Sequence, residues 1–501
     1  MTSPRRTRHR LVRSAFVLDP SNLGHRVVTG ASFTFLGIAL RTLITLGSMA
    51  ILARLLTPAD FGYVAMAAVI TELAALFGGF GFGNILIQKK TINRLHLDTV
   101  FWASAGIGLL VGGAIFLMSF MAGWLFRDSL TGDLLKVMCL SFVFGGLTCV
   151  HEAILTRLMR FHTEFWIQIS VMAVRSLVAI AFALLGFGVW SLVVGGVVGS
   201  IFAVVFYMLA VPYLPRLRFH GGLLKSTWKT SGSYFGNGLL YYINMNVDIF
   251  LIGRTLGATS LGYYQNARSL TDEVRGRIAM PLQRVLFPAF SALQADLGRL
   301  QTSVIRAGRL LAAIIFPIGI GLSAVANELV PVLYGEQWLE MIPILSFLGI
   351  SAAVRGSTAI ASPLFNSRNQ VPLALKFNSI SALLPVAAVL IALPHGINAV
   401  TFGVMLASFY SLVSFRVGLG LIELRNKDVL TILGFPALSS AIMWLAIYGL
   451  RDYSHQWLTS PLAVLLFHVA CGAAVYVLTL HMFSRSYLRD FLQIAAKFKD
   501  S

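Results

Sequence analysis

The chain has 501 residues, of which 57% are hydrophobic and only 12% are charged. Soluble domains carry roughly 25% charged residues, so this composition excludes a mainly soluble protein and places most of the chain in lipid. The formal net charge of +19 does not indicate nucleic-acid binding, because the basic residues occupy short gaps between apolar blocks.

Apolar blocks follow one another along the chain, and each is close to the ~20 residues that a transmembrane helix needs. The basic N-terminus precedes a full span without a small-residue cleavage site, which predicts a retained first helix rather than a signal peptide. The pattern predicts an all-α polytopic membrane protein with about 14 transmembrane helices. Their approximate bounds are 31–53, 62–85, 98–123, 133–156, 164–186, 188–211, 231–253, 264–290, 306–334, 342–364, 370–393, 396–419, 429–450 and 460–482.

Basic residues concentrate in every second gap between these spans, as the positive-inside rule describes for cytoplasmic loops. This alternation predicts an even number of spans with both termini in the cytoplasm. The predicted inside gaps hold Lys89, Lys90 and Arg94; Arg157 and Arg160; Arg216, Arg218, Lys225 and Lys229; Arg299 and Arg306; Arg368; Arg425 and Lys427; and Arg485, Arg489, Lys497 and Lys499.

Residues Arg54–Glu72 and Arg254–Asp272 match each other without a gap at an offset of 200 positions. Arginine, leucine, glycine, tyrosine, alanine and threonine recur at identical spacing. Six predicted spans separate the two copies, so both bundles point the same way, as in transporters with parallel internal repeats. The predicted domains are a basic cytoplasmic N-terminus, 1–30; an N-terminal six-helix bundle, 31–211; a cytoplasmic linker, 212–230; a C-terminal six-helix bundle, 231–425; two peripheral helices, 426–483; and a cytoplasmic tail, 484–501.

Polar residues follow one face of three predicted spans, at steps of three and four residues. We expect these faces to line a shared cavity. They comprise Thr34, Gly37, Arg41, Thr45 and Ser48 in the first span, Ser233, Asn237, Tyr241, Asn244 and Asp248 in the seventh, and Ser351, Arg355, Thr358 and Ser362 in the tenth.

Arginines in these spans predict an anionic cargo. Arg41 lies ~15 Å from either end of its predicted helix, a depth at which a charge costs at least a few kcal/mol unless it is hydrated or paired. One guanidinium group can donate two parallel hydrogen bonds to two oxygens of a phosphate, so these arginines favour a phosphate ester as the cargo. We predict that Arg41, Arg277, Arg284 and Arg355 bind the anionic group.

Other charged residues leave alternatives open. Arg41 could instead be neutralised by Asp248, and Arg277 could be held by Glu273 one helical turn away. Asp248 and Glu72 are the acids that could bind a coupling proton or sodium ion. Arg54 and Arg254 fall at predicted helix ends, where capping of terminal carbonyls is the favoured interpretation.

Catalytic signals are missing, so the chain is predicted not to be an enzyme and to need no cofactor or metal. The stretch Gly221–Thr227 lacks the glycine that precedes lysine in a phosphate-binding loop, and it does not follow a strand. His151 and Glu152 are adjacent and do not share a helix face. Cys139, Cys149 and Cys471 lie in apolar segments without metal-ligand spacing.

Four stretches resemble the polysaccharide-flippase (Wzx-like) branch of the multidrug/oligosaccharidyl-lipid/polysaccharide (MOP) exporter superfamily. They are Leu52–Gly62, Asp248–Tyr263, Phe287–Ser291, and Leu333–Gly335 with Trp338. The likeness covers roughly residues 25–425, and its first motif is the most specific of the four.

The resemblance implies two lobes that carry an undecaprenyl-diphosphate-linked saccharide across a bacterial inner membrane by alternating access. It also implies a lipid-linked glycan and membrane lipid as partners, with glycan polymerase or export machinery nearby. Two alternatives remain. One is a cation-coupled drug or metabolite exporter of the MATE type, although that branch uses carboxylates and here arginine dominates. The other is a membrane glycan polymerase or ligase, against which the short outside loops argue.

Overall fold

The computed structural model describes residues 23–78, 82–483 and 487. For residues 23–39, 223–244 and 273–278 it describes the backbone but not most of the side chains. The secondary structure assigned to these residues is helical. The helices are α1 Leu23–Leu55, α2 Pro58–Gly78, α3 Phe82–Gln88, α4 Arg94–Phe126, α5 Ser129–Met138, α6 Leu140–Arg157, α7 Phe161–Leu184, α8 Trp190–Ala210, α9 Gly222–Ala292, α10 Leu297–Ala324, α11 Ala326–Leu333, α12 Met341–Ser357, α13 Ala361–Ser367, α14 Val371–Ala392, α15 Ile397–Ser408, α16 Tyr410–Gly420, α17 Asn426–Val429, α18 Phe435–Trp457 and α19 Pro461–Phe483.

Eleven helical segments within the described residues are long and apolar enough to cross a membrane. The other three predicted spans, 31–53, 231–253 and 264–290, fall inside α1 and α9, which are helical as expected. The prediction of an all-α polytopic membrane protein is therefore confirmed, whereas the count of 14 spans stays a prediction.

The helix breaks follow the sequence repeat. In the first copy, α1 ends at Leu55 and α2 begins at Pro58. In the second copy, α9 is interrupted at Gly257, with φ 83° and ψ 178°. Position 257 is position 57 shifted by 200, so both copies turn at the same repeat position. Only glycine adopts such a backbone conformation without strain.

The chain divides into two compact units, Met1–Thr259 and Ser260–Ser501. This division falls at the Gly257 break rather than in the predicted linker 212–230, so the first half of α9 belongs to the N-terminal unit. The sequence-based domain boundaries stay a prediction. Within the N-terminal unit, one apolar core includes Leu86, Leu97 and Ile154, all fully buried.

Within the C-terminal unit, a charge cluster connects the last two helices to the end of α10 and to α11. Glu328 of α11 accepts a hydrogen bond from Nε of Arg451 at 2.9 Å, and Nδ1 of His468 lies 3.5 Å from the same carboxylate oxygen. Arg451 also donates to the carbonyl of Ala324 at 3.1 Å, and Ser454 bonds Nε2 of His468 at 2.9 Å. Because Glu328 and His468 are buried, α18 and α19 are fixed by polar contacts as well as by packing.

Gly62 provides a test of the packing between the two helix breaks. A Cβ atom at Gly62 would lie 1.8 Å from the carbonyl oxygen of Ala258. We expect Gly62→Ala to lower the free energy of unfolding by about 1–3 kcal/mol, because the backbone must move apart. Thermal unfolding of the detergent-solubilised chain measures this. The matched control is Gly113→Ala, where no atom lies within 4 Å and a small gain is expected.

The charge cluster makes a second prediction. Arg451→Met removes the arginine that bonds the buried Glu328 carboxylate and leaves His468 as its remaining basic neighbour, so it should destabilise the chain by about 3–5 kcal/mol. The double variant Glu328→Gln/Arg451→Met should recover most of this loss, because no charge is then stranded. Equal unfolding temperatures for the single and double variants would contradict this account. Lys136→Met, which breaks the exposed Lys136–Asp133 pair, serves as the control and should change stability by about 1 kcal/mol or less.

Candidate functional site

Arg41 lies near the middle of α1, and its side chain is exposed. Thr45 and Ser48 follow on the same face, are half-buried, and are joined by a 3.1 Å hydrogen bond from the Ser48 hydroxyl to the Thr45 carbonyl. Within the described part of the chain, no carboxylate lies within ion-pair distance of Arg41. Its role in binding an anion stays a prediction, since Arg41 does not line the cavity described below.

The approach of α1 to α7 places Arg41 beside a polar group that the sequence analysis did not identify. A Cβ at Gly37 would lie 3.0 Å from the ring of Phe165, so the two helices are in close contact one turn before Arg41. Next to Phe165, Glu164 accepts a 3.1 Å hydrogen bond from the amide of Gln168. Glu164 and the hydroxyl of Tyr207 are both within electrostatic reach of Arg41. A carboxylate is thus within electrostatic reach of the arginine without forming an ion pair with it.

The two acids predicted to bind a coupling ion lie on different helices. Glu72 is exposed on α2, close to Tyr242, whose hydroxyl donates to the carbonyl of Val69. Asp248 is half-buried in α9, and its carboxylate accepts a hydrogen bond from the amide of Ile249 at 2.9 Å. The role of both acids stays a prediction.

A cavity of about 540 Å³ lies inside the N-terminal unit, bordered by α2, α3, α4 and α6. One wall forms where α4 and α6 pack closely at Gly146. There the hydroxyl of Ser104 donates to the carbonyl of Gly146 at 2.9 Å. Its polar lining comprises Asn84, Ser104, Ser141, Cys149, Glu152 and Thr156. Sequence periodicity could not find this cavity, because its walls come from several helices.

The neighbouring residues His151 and Glu152 point in different directions, as the sequence predicts. Glu152 lines the cavity, whereas His151 is fully buried and lies 3.2 Å from the carbonyl oxygen of Tyr213. They cannot act together as an acid/base pair.

In the C-terminal unit, Arg355 lies at an interruption of a membrane span. The span Met341–Ser367 consists of α12 and α13, and Arg355 is in the last turn of α12. At the interruption, the hydroxyl of Thr358 bonds the carbonyl of Val354 and lies 2.9 Å from the hydroxyl of Ser411. Arg355 is half-buried and Ser351 is buried.

The remaining predicted residues are less well supported. Arg284 of α9 is exposed beside the exposed apolar side chains of Val285 and Phe287. The side chains of Asn237, Tyr241, Asn244 and Arg277 lie outside the described residues. The assignment of these residues to a substrate site stays a prediction.

Several arginines have structural roles instead. Arg254 donates to the carbonyl of Leu125 at the end of α4 and lies over the ring of Trp124, which confirms the capping interpretation. Arg157, which the sequence analysis placed only among topology signals, is 3% exposed and donates to four carbonyls between Leu86 and Lys90.

Comparisons with known proteins agree with this architecture. A family profile described as "Polysaccharide biosynthesis protein" matches residues 51–343. The chain is 26% identical over 404 residues to the lipopolysaccharide biosynthesis protein WzxC of Escherichia coli, covering 78% of this chain and 80% of that protein. It is 25% identical over 459 residues to the succinoglycan biosynthesis transport protein ExoT of Rhizobium meliloti, covering 89% and 90%.

Solved structures show the same fold at low identity. The lipid II flippase MurJ in an inward closed conformation matches with a TM-score of 0.70 at 16% identity, covering 92% of this chain and 100% of that chain. An inward-facing multidrug resistance MATE family transporter of the MOP superfamily matches with a TM-score of 0.60 at 17% identity, covering 76% and 94%. Together these matches confirm the resemblance to MOP-superfamily polysaccharide flippases and the class of transporter rather than enzyme.

The cavity leads to a prediction about cysteine access. Cys149 lines it, whereas Cys139 is buried elsewhere. In single-cysteine variants of the reconstituted chain, we expect a small water-soluble methanethiosulfonate reagent to modify Cys149 faster than Cys139, because Cys149 lines the cavity and is only half-buried, whereas Cys139 is buried. Equal rates would show that the cavity is dry or closed.

Proposed function

The chain belongs to the polysaccharide biosynthesis protein family, and from this premise we propose that it flips a lipid-linked glycan. Its substrate is an undecaprenyl-diphosphate-linked oligosaccharide or polysaccharide, carried across a bacterial inner membrane by alternating access of two bundles around an arginine-lined cavity. Both termini lie in the cytoplasm. The names of WzxC and ExoT, which refer to lipopolysaccharide and succinoglycan, support this substrate class.

The observation that carries the proposal is the state of Arg41. A guanidinium in the middle of a membrane helix costs at least a few kcal/mol unless water or an anion solvates it. Arg41 is exposed, and no described carboxylate forms an ion pair with it. A diphosphate supplies two negative centres whose oxygens match guanidinium geometry.

We assign the rest of the site by chemistry. Arg277, Arg284 and Arg355 complete the binding of the diphosphate. The sugar contacts polar side chains, namely those of Thr45, Ser48, Asn237, Tyr241, Asn244, Asp248 and Ser351. Asp248 and Glu72 bind the coupling proton or sodium ion, if transport is coupled.

Complementation of a strain that lacks the gene tests this function. We expect the deletion to trap polyprenyl-diphosphate oligosaccharide on the inner leaflet. Arg41→Gln should restore export about 10- to 100-fold less well than wild type. This range corresponds to the loss of a charged hydrogen bond, which contributes about 1.5–3 kcal/mol. Arg41→Lys keeps the charge but loses the paired geometry, so its export should be intermediate. The pool of lipid-linked oligosaccharide is measured after extraction.

The matched control is Arg299→Gln, which removes an equal charge from a side chain that is 79% exposed and paired with Asp296. It should complement fully. An unchanged lipid-linked pool in the deletion strain, or full export by Arg41→Gln, would reject the proposal.

A cation-coupled drug exporter is the second candidate, and one observation favours it. Glu152 and Glu164 lie within electrostatic reach of each other, which is an arrangement suited to holding a cation or proton. Neutralising Arg41 and Arg355 separates the two functions, because retained glycan export with loss of drug resistance would favour the drug exporter. A polymerase or ligase would instead join glycans in detergent.

A further inference from the structure

The segment that follows α8 is held rigidly against the first turns of α4. We call residues 214–220 the basic strip. The hydroxyl of Tyr213 donates to the carboxylate of Asp98, which also accepts from the amide of Arg216 at 3.1 Å. Trp102 donates to the carbonyl of Arg216 at 2.8 Å. Arg94 also donates to the carbonyl of Leu214 at 3.2 Å, and the amide of His220 donates to the hydroxyl of Thr99 at 3.2 Å. These two bonds complete the attachment.

The residues at the centre of the attachment are buried. Asp98 and Thr99 are fully buried, and Tyr213 is 2% exposed. Burial, with the neighbouring Asp98 carboxylate, raises the pKa of Tyr213 above its usual range, so the hydroxyl keeps its proton and remains a donor. The backbone of the basic strip is therefore fixed, and its orientation does not depend on its outward side chains.

Those outward side chains are large, apolar and basic. Leu214, Leu217 and Phe219 are 73%, 89% and 60% exposed. Arg216 and Arg218, which alternate with them, are exposed as well. No acidic residue occurs between positions 211 and 230. A fixed surface of this composition is costly in water and carries a net positive charge.

The depth of the basic strip follows from α4. This helix has 33 residues and is ~50 Å long, whereas the hydrocarbon core is ~30 Å thick. A centred α4 therefore extends ~10 Å beyond the core at each end. Trp102 lies eight residues, or ~12 Å, after Arg94, at the boundary where tryptophan is enriched in membrane proteins. The basic strip, bonded to residues 94–102, lies at the level of the lipid headgroups.

We propose that the basic strip is a binding surface for anionic phospholipid, in which Leu217 and Phe219 enter the acyl boundary and Arg216 and Arg218 bind headgroup phosphates. Apolar anchors that alternate with basic residues are the combination by which interfacial segments bind anionic membranes. A second copy of this chain would present the same positive charge and is disfavoured. An acidic soluble protein is the other occupant that the charge permits, and the experiment distinguishes it.

The first test places an environment-sensitive fluorophore on Leu217→Cys in the full chain, with Cys139, Cys149 and Cys471 replaced by serine. The chain is reconstituted in nanodiscs of phosphatidylcholine alone or with phosphatidylglycerol. We expect a blue-shifted emission that a spin label near the headgroup quenches, and stronger quenching with phosphatidylglycerol. Ala295→Cys, in the exposed connection between α9 and α10, is the matched site and should report water. A water-like signal at position 217 in both lipids would overturn the proposal and leave a soluble partner as the occupant.

The second test adds Arg216→Gln and Arg218→Gln to the labelled chain. Each arginine near an anionic surface should contribute about a 5-fold gain in apparent affinity for phosphatidylglycerol, so the double variant should lose its response to that lipid. The response of the parent should also weaken as salt rises. Arg299→Gln is the charge-matched control and should leave the response intact. Both strip arginines are exposed, so the variants should fold; a persistent lipid response in the double variant would overturn the assignment.

Discussion

A backbone carbonyl that is buried at a helix end, away from water, needs a hydrogen-bond donor from the protein itself. Arginine meets this requirement repeatedly in the described chain. The guanidinium of Arg157 reaches the four carbonyl oxygens of Leu86, Ile87, Lys89 and Lys90 at 2.5–3.1 Å. It thereby closes the end of α3, where the helix stops and the next gap begins. A lysine could not span these acceptors, because its ammonium is a single point and not a planar fork.

The same requirement separates structural arginines from the candidate ligand. Arg157 and Arg451 satisfy carbonyls or a buried carboxylate and are largely withdrawn from the surface. Arg41 is exposed near the middle of its helix, and among the described carboxylates Glu164 is within its electrostatic reach without forming an ion pair. An arginine that no described carboxylate neutralises is a better candidate for binding an anion than one held in a structural contact. This difference in partners, and not depth alone, is the basis for choosing Arg41.

Sequence periodicity predicted the helices and most of the spans, because these depend on residues three or four positions apart. It could not predict Glu164 beside Arg41, which depends on the close contact of Gly37 with Phe165 on another helix. It assigned residues 212–230 to a linker from their prolines and glycines. The attachment of that segment to Asp98 is a contact more than 100 positions distant in sequence, and composition holds no information about it.

The repeat shows what the two halves of the chain have in common. In the first copy the break is made by Thr57, whose backbone amide and hydroxyl both donate to Asp60 at 2.8 Å, a side-chain cap that starts α2. In the second copy the residue at the equivalent position is Gly257, which turns the chain through its own positive φ. One copy uses a cap and the other uses backbone freedom, yet the helices stop at the same register. Gly62 then packs against the carbonyl oxygen of Ala258, so the two breaks meet within the N-terminal unit. The feature that the two copies share is therefore the position of the helix break. A shift of either break along the chain would separate Gly62 from the carbonyl oxygen of Ala258.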